Sequence, residues 1–207
     1  VIVPAPYWVS YVEQVKLAEG KNVVVPTRID HNFKLQPEQL RQAITEKTRV
    51  LMLCSPSNPT GSIYSRQELR ALADVILQTN PNMYIISDEI YEYINFEGSH
   101  ESIAQFEDIR DRVILVNGVS KGFAMTGWRI GYMAAPVDIA RACSKLQGQV
   151  TSGACSIAQR AALNALKSDK SFTRKMKEAF KRRRDLVLAG MNQINGMKTY
   201  TPQGAFY

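Results

Sequence analysis

Short, almost wholly apolar runs alternate with helix-length segments along this chain, and no other feature limits its possible folds so strongly. Val1–Val3, Val23–Val25, Arg49–Cys54, Met83–Ser87, Val113–Val116 and Arg129–Ala134 read as strands. Helices are predicted at Trp8–Ala18, ended by Gly20, and at Pro37–Thr45, where Pro37 suits a first helical turn. A further helix starts at the capping box Ser65-Arg66-Gln67-Glu68 and runs to about Leu77. Others are predicted at Val137–Gln147, Ser156–Leu166 and Lys170–Met191. Turn clusters at Ser55–Gly61 and Asn80-Pro81-Asn82 punctuate the pattern. A strand that is apolar on both faces has to be covered on both faces, so the expected fold is α/β: a mostly parallel sheet in three α/β/α layers. The long helix after Ser168 is the expected bridge to a small C-terminal α+β domain opening with a strand at Met197–Thr201. That divides the chain into residues 1–180, a large domain, and 181–207, the beginning of a small one.

The 207 residues are 45% hydrophobic, enough for a full core. No apolar run approaches the roughly 18 residues of a membrane span, and no membrane partner is expected. Val1–Pro6 has neither the basic region nor the long apolar stretch of a signal peptide. The chain starts without Met and stops inside the apolar run Ala205-Phe206-Tyr207, so both ends are expected to continue into a longer protein.

The net charge of +7 raises the possibility of nucleic-acid binding. Much of the excess, however, lies in Arg174-Lys175, Lys177 and Lys181–Arg184, interleaved with Phe172, Met176, Phe180, Val187 and Met191 at near-helical spacing. That places the charges on the solvated side of an amphipathic helix, and no nucleic-acid partner is expected. Cys54, Cys143 and Cys155 are odd in number and lack metal spacing, which argues against disulfides and zinc and for a reducing, cytoplasmic setting. His31 and His100 stand alone and read as ordinary surface or loop residues.

The polar motifs gather after Cys54, Ser87 and Val116, the carboxyl ends of predicted strands, where ligands of open α/β sheets bind. Lys121, in Ser120-Lys121-Gly122-Phe123, follows a buried strand among small and apolar residues, with Arg129 eight positions on. A lysine desolvated near other cations gives up its proton readily and becomes a candidate for a Schiff base. Asp88, in Ser87-Asp88-Glu89-Ile90-Tyr91, reads either as a turn acid or as a partner for a protonated ring nitrogen. Ser57-Asn58-Pro59-Thr60-Gly61 reads either as a plain turn or as a ligand loop led by Asn58. Trp8, in Pro6-Tyr7-Trp8, is either core packing or a platform for a flat ring.

Together these segments, in the order PYW, SPSNPTG, SDEIY, SK with GWRIG, and PQGAFY, resemble class I/II aminotransferases of the fold-type I pyridoxal-phosphate (PLP) family. The resemblance covers essentially the whole chain and is nearest to the bacterial aspartate and prephenate aminotransferase branch. It implies that Lys121 binds pyridoxal 5'-phosphate covalently and acts as general base and acid. Asp88 then pairs with the pyridine nitrogen, Tyr91 and Asn58 with the phenolic oxygen, and Arg129 and Ser120 with the phosphate. Trp8 stacks on the ring, and Asn58 and Trp8 also meet the substrate. One departure is visible: several relatives carry a serine three residues before the lysine, where this chain has Gly118.

The resemblance further implies amino-acid and 2-oxo-acid substrates, a homodimer, and a transamination in two halves. The family's phosphate loop is expected before Val1 and its substrate-carboxylate arginine after Tyr207, so these residues alone are expected to turn over little or no substrate. Other outcomes on the same cofactor stay open: a β-lyase, an aminocyclopropane-carboxylate synthase-like enzyme or a decarboxylase. So does an aminotransferase-like effector domain of a transcriptional regulator.

Overall fold

The computed structural model describes all residues, Val1–Tyr207. Six strands form one sheet: β1 (Ile2–Ala5), β2 (Val23–Pro26), β3 (Val50–Cys54), β4 (Tyr84–Asp88), β5 (Val113–Gly118) and β6 (Gly131–Ala134), in the spatial order β2-β1-β3-β4-β5-β6. Every neighbouring pair is parallel except β5 and β6, which are antiparallel, with Gly118 opposite Gly131. The chain passes from β1 outward to β2 and then returns to β1's other side as β3. This reversal of direction is a switch point, beside which ligands of such sheets sit.

Helices α1 (Ser10–Leu17), α2 (Pro37–Ala43), α3 (Arg66–Thr79), α4 (Glu107–Arg110), α5 (Val137–Val150), α6 (Ser156–Lys167) and α7 (Ser171–Met191) complete the fold. The capping box at Ser65 forms: its hydroxyl accepts from the Glu68 amide, while the Glu68 carboxylate accepts from the Ser65 amide at 2.7 Å. Two faces of the sheet are filled by alternate residues. Ile2, Leu51, Leu53 and Ile85 join Leu69, Leu72 and Ile76 of α3 in the main core. Val3 and Met52 meet Tyr11 of α1 in a smaller cluster against which Cys54 and Ile86 pack. This period of two fixes what each strand end presents, because the residue after a core-facing one must face α1.

The expected elements all appear within a few residues of their predicted bounds, with one exception. Met197–Thr201 is not a strand. A strand exists through its partners, and no segment of the 207 residues pairs with it; the only ladder contact nearby is an isolated bridge between Asn95 and Gly204. Two smaller differences bear on the site. Trp8 lies in the turn before α1, not in the helix, and Arg129 precedes β6 in a left-handed backbone conformation, with φ of 54°. α7 is continuous across residues 180 and 181, and most of its charges are solvated as expected; Arg184 is the exception, its side chain 11% exposed and donating to the Pro202 carbonyl at 2.8 Å. Its apolar stripe is only partly covered: Met176 and Phe180 pack near Tyr91 and Ile94, while Phe172 and Val187 are exposed. No helix is long and apolar enough to cross a membrane.

Candidate active site

β4 carries Asp88 to the carboxyl edge of the sheet on the α1 face, directly opposite Cys54 at the end of β3. There the Tyr11 hydroxyl donates to Asp88 Oδ2 at 2.6 Å and the Ile90 amide to Oδ1 at 3.2 Å. Burial pushes the Asp88 carboxyl above its ordinary range, and these two donors and the Lys121 charge only partly offset it. Burial likewise drives the Cys54 thiol up to about 12, with the neighbouring carboxylate adding to the effect, so the thiol stays protonated. The Tyr11 phenol rises still further for the same reasons. The result is a desolvated carboxylate whose ionised form calls for a cation.

The loop between β5 and β6 carries Ser120 and Lys121. Val119 and Phe123 on either side are buried with Ile130 against Ala158 and Ala162 of α6, so the lysine between them is held at both ends. Gly122 lies against the Tyr93 ring, where a Cβ would come within 2.6 Å of ring carbon. Half-buried Lys121 turns its amine toward the rings of Tyr91 and Phe206, 5.8 and 5.5 Å from their centroids. Gly118 has a steric reason to be glycine. A Cβ there would lie 2.8 Å from the Ile130 carbonyl oxygen and 3.1 Å from the Gly131 Cα, so the antiparallel pairing with β6 leaves no room for serine.

Asn58 sits in the turn after β3, and the last residues dock onto that turn. The amides of Gln203 and Gly204 both donate to the Gly61 carbonyl at 2.9 Å. Gly61, with φ of 68°, lies so close to Pro202 and Gly204 that no side chain would fit. This docking brings the Tyr207 hydroxyl within 2.8 Å of that of Tyr91, whose ring is buried and whose phenol is pushed well above its ordinary range by burial. Trp8, 41% exposed, meets Tyr11 edge to face at 5.5 Å, and Arg129 stands at the rim with Nη1 donating to the Thr126 carbonyl at 3.0 Å.

Trp8, Asn58, Asp88, Tyr91, Ser120, Lys121 and Arg129, drawn from five separate segments, all line one cavity of about 500 Å³. Sequence reasoning missed Tyr11, Cys54, Asn117 and Tyr207, which line it too. For Cys54 a signal existed, since it ends a predicted strand beside the one ending at Asp88. For Tyr11 the only hint was its place one turn beyond Trp8. His100 lies in a loop, as expected, yet its side chain is only 15% exposed and its Nε2 is 2.7 Å from Glu89 Oε2, a pairing that depends on how the loop folds back onto β4.

The donor set suits a flat, anionic, cationic-ringed cofactor: a half-buried, desolvated carboxylate, an amine in the same cavity, and an arginine and a hydroxyl lining it. No group of three His, Cys, Asp or Glu residues is placed to hold a metal ion.

A family model described as aminotransferase class I and II matches residues 1–207. An aspartate/prephenate aminotransferase of Cereibacter sphaeroides is 49% identical over all of this chain and 52% of its own length. A bifunctional aspartate and glutamate/aspartate-prephenate aminotransferase of Petunia hybrida is 46% identical over all of this chain and 44% of its own length. Among solved structures, an aspartate aminotransferase from Rhizobium meliloti superposes with a TM-score of 0.96 at 42% identity, over 99% of this chain and 51% of that one. The chain thus spans about half the length of the curated relatives it matches.

Proposed function

We propose, because the chain belongs to the class I and II aminotransferase family, that it forms the cofactor-binding part of an enzyme moving an amino group from an amino acid to a 2-oxo acid. The observation that carries this reading is the meeting of Lys121 and the desolvated Asp88 carboxylate in one cavity with Asn58, Tyr91 and Arg129. The cofactor these residues fit is pyridoxal 5'-phosphate, which when bound supplies an electron sink for a substrate's α-carbon.

In this reading Lys121 holds the cofactor covalently. Its free amine would then be the base that takes the proton from the substrate α-carbon and the acid that returns it. Asp88, aligned by Tyr11 and the Ile90 amide, keeps the ring nitrogen protonated. Asn58 and Tyr91 hold the phenolic oxygen, Asn58 and Trp8 also meet the substrate, and Trp8 covers the ring. Arg129 suits the phosphate through its planar fork of donors, with Ser120 beside it. The relatives' names support aspartate as amino donor, the family pattern supports a homodimer, and the free cysteines Cys54, Cys143 and Cys155 support a reducing, cytoplasmic setting. We place the large domain at residues 1–180 and the start of a smaller one at 181–207. A phosphate loop and a substrate-carboxylate arginine from outside these residues complete the site, so the 207 residues alone give little turnover.

The test is an assay of the whole protein with aspartate and 2-oxoglutarate. Formation of glutamate and oxaloacetate in equal amounts, with no release of ammonia, is the expected outcome. Stoichiometric release of ammonia without glutamate would replace the reading with a lyase.

A further inference from the structure

The end of β4 and the residue after it carry two carboxylates side by side, Asp88 and Glu89, and their side chains point opposite ways. Asp88 faces the cavity. Glu89 faces away from it and is 3% exposed. A carboxylate removed from water is costly unless hydrogen bonds replace the lost solvent. Glu89 has three. The Ser87 and Ser102 hydroxyls donate to Oε1 at 2.8 and 2.6 Å, and the His100 ring pairs with Oε2 at 2.7 Å.

These donors are themselves anchored. Ser87 is in the sheet, and Ser102 caps the helical turn Ile103–Gln105, whose Ile103 is fully buried in the main core. His100 belongs to the loop returning from Asn95, whose side-chain Nδ2 donates to the Ser99 carbonyl at 3.1 Å. The Glu89 backbone is tied as well: its amide donates to the Val116 carbonyl on β5, and its carbonyl accepts from Glu92, both at 2.9 Å. The turn that carries Asp88 and Tyr91 is therefore fastened from behind at the one residue between them that points into this network. Glu92 is the other acid near it, its carboxyl raised by burial and lowered in part by the His100 charge.

We propose that Glu89 is a positioning residue: held by Ser87, Ser102 and His100, it sets where the Asp88 carboxylate and the Tyr91 phenol stand in the cavity. This rests on the reading of Asp88 and Tyr91 as cofactor contacts. None of the three donors lines the cavity, so the network acts only through the turn.

The experiment uses the whole enzyme loaded with pyridoxal phosphate, comparing Glu89→Ala, Glu89→Gln, Ser102→Ala and Asp88→Asn. Three quantities are read: kcat and KM per loaded site, the absorption spectrum of the lysine-bound cofactor, and amide exchange at residues 88–91 in cofactor-free protein. Displacement of a reacting group by a fraction of an ångström costs on the order of 10- to 100-fold. Glu89→Ala is expected to lose that much in kcat at nearly constant KM, to shift the spectrum, and to speed exchange of the Ile90 amide. Glu89→Gln keeps an oxygen for both serines and presents an N–H that His100 Nε2 accepts once the ring carries its proton on Nδ1, and it is expected to recover to within about threefold of wild type. Ser102→Ala removes one donor and falls between them; it decides the matter if Glu89→Ala fails to fold. Normal kcat, spectrum and exchange in Glu89→Ala or Ser102→Ala, beside a crippled Asp88→Asn, would overturn the proposal and leave the reading of Asp88 intact. A fully active Asp88→Asn would remove that reading and the proposal with it.

Discussion

α3 and α5 are both fourteen residues long and both amphipathic, yet the molecule treats them differently. α3 buries Leu69, Leu72, Ala73, Val75 and Ile76 against the sheet, while α5 buries nothing and leaves Val137, Leu146 and Val150 in solvent. The first has a reciprocal Ser65–Glu68 cap, the second no side-chain cap. Periodicity makes a helix in either case. What separates them is whether a sheet face stands opposite, since most helical stability in proteins comes from packing and not from propensity. The division extends further: every member of the main core lies between Ile2 and Val113, and that region supplies Asp88 from the end of β4 and Asn58 and Tyr91 from the turns after β3 and β4 to the site. Three of the candidate site residues, Asn58, Asp88 and Tyr91, thus stand on the part of the chain with a closed interior, which suits groups that must be held within fractions of an ångström, while Ser120, Lys121 and Arg129 come from beyond it.

The largest effect that bears on this contrast is chemical. Lys121→Ala in the whole protein is expected to lower kcat by about 10²–10⁴, the usual worth of a positioned acid–base group, while leaving the fold's circular dichroism unchanged. Next come the two helices themselves. Leu72, fully buried, should cost about 2–5 kcal/mol as Leu72→Ala, and Leu146, 65% exposed, no more than about 0.5 kcal/mol as Leu146→Ala, by urea denaturation of the 207-residue chain. Equal losses would break the comparison.

Gly118→Ser sharpens it where the closed region meets β6. Its side chain would overlap the Ile130 carbonyl, so a loss of about 1–3 kcal/mol is expected in the same measurement. The smallest effect concerns Asp88. Burial raises its folded-state pKa above the unfolded value, so its ionisation opposes folding. The penalty is absent below the unfolded-state value and complete above the folded-state one. In cofactor-free protein, Asp88→Asn should therefore melt slightly higher than wild type at pH 7, with the gap closing as the pH falls through the carboxylate range. A gap that widens in acid would mean the carboxylate is stabilised by its surroundings, contrary to this account.

Legibility followed the same line. The strands of the closed region could be read because they are apolar on both faces and stop abruptly at polar turns. Asn58 and Asp88 stand at those stops and Lys121 just past the end of β5, so strand order brings them together. Tyr11 could not be read this way. Its bond to Asp88 spans 77 residues and depends on how α1 lies across the sheet. The same holds for His100 beneath Glu89 and for Tyr207 against Tyr91, each placed by a loop or tail whose path no local pattern encodes. Met197–Thr201 failed for the opposite reason: its residues favour extended backbone, but a strand also needs a neighbour.

The claim at the centre is that Lys121 carries the cofactor. Incubating the whole protein with pyridoxal phosphate, reducing with borohydride and mapping the modified peptide tests it directly. The account predicts a single pyridoxyl-lysine in the peptide around Ser120-Lys121-Gly122. An adduct at any other lysine, with Lys121 unmodified, would contradict it.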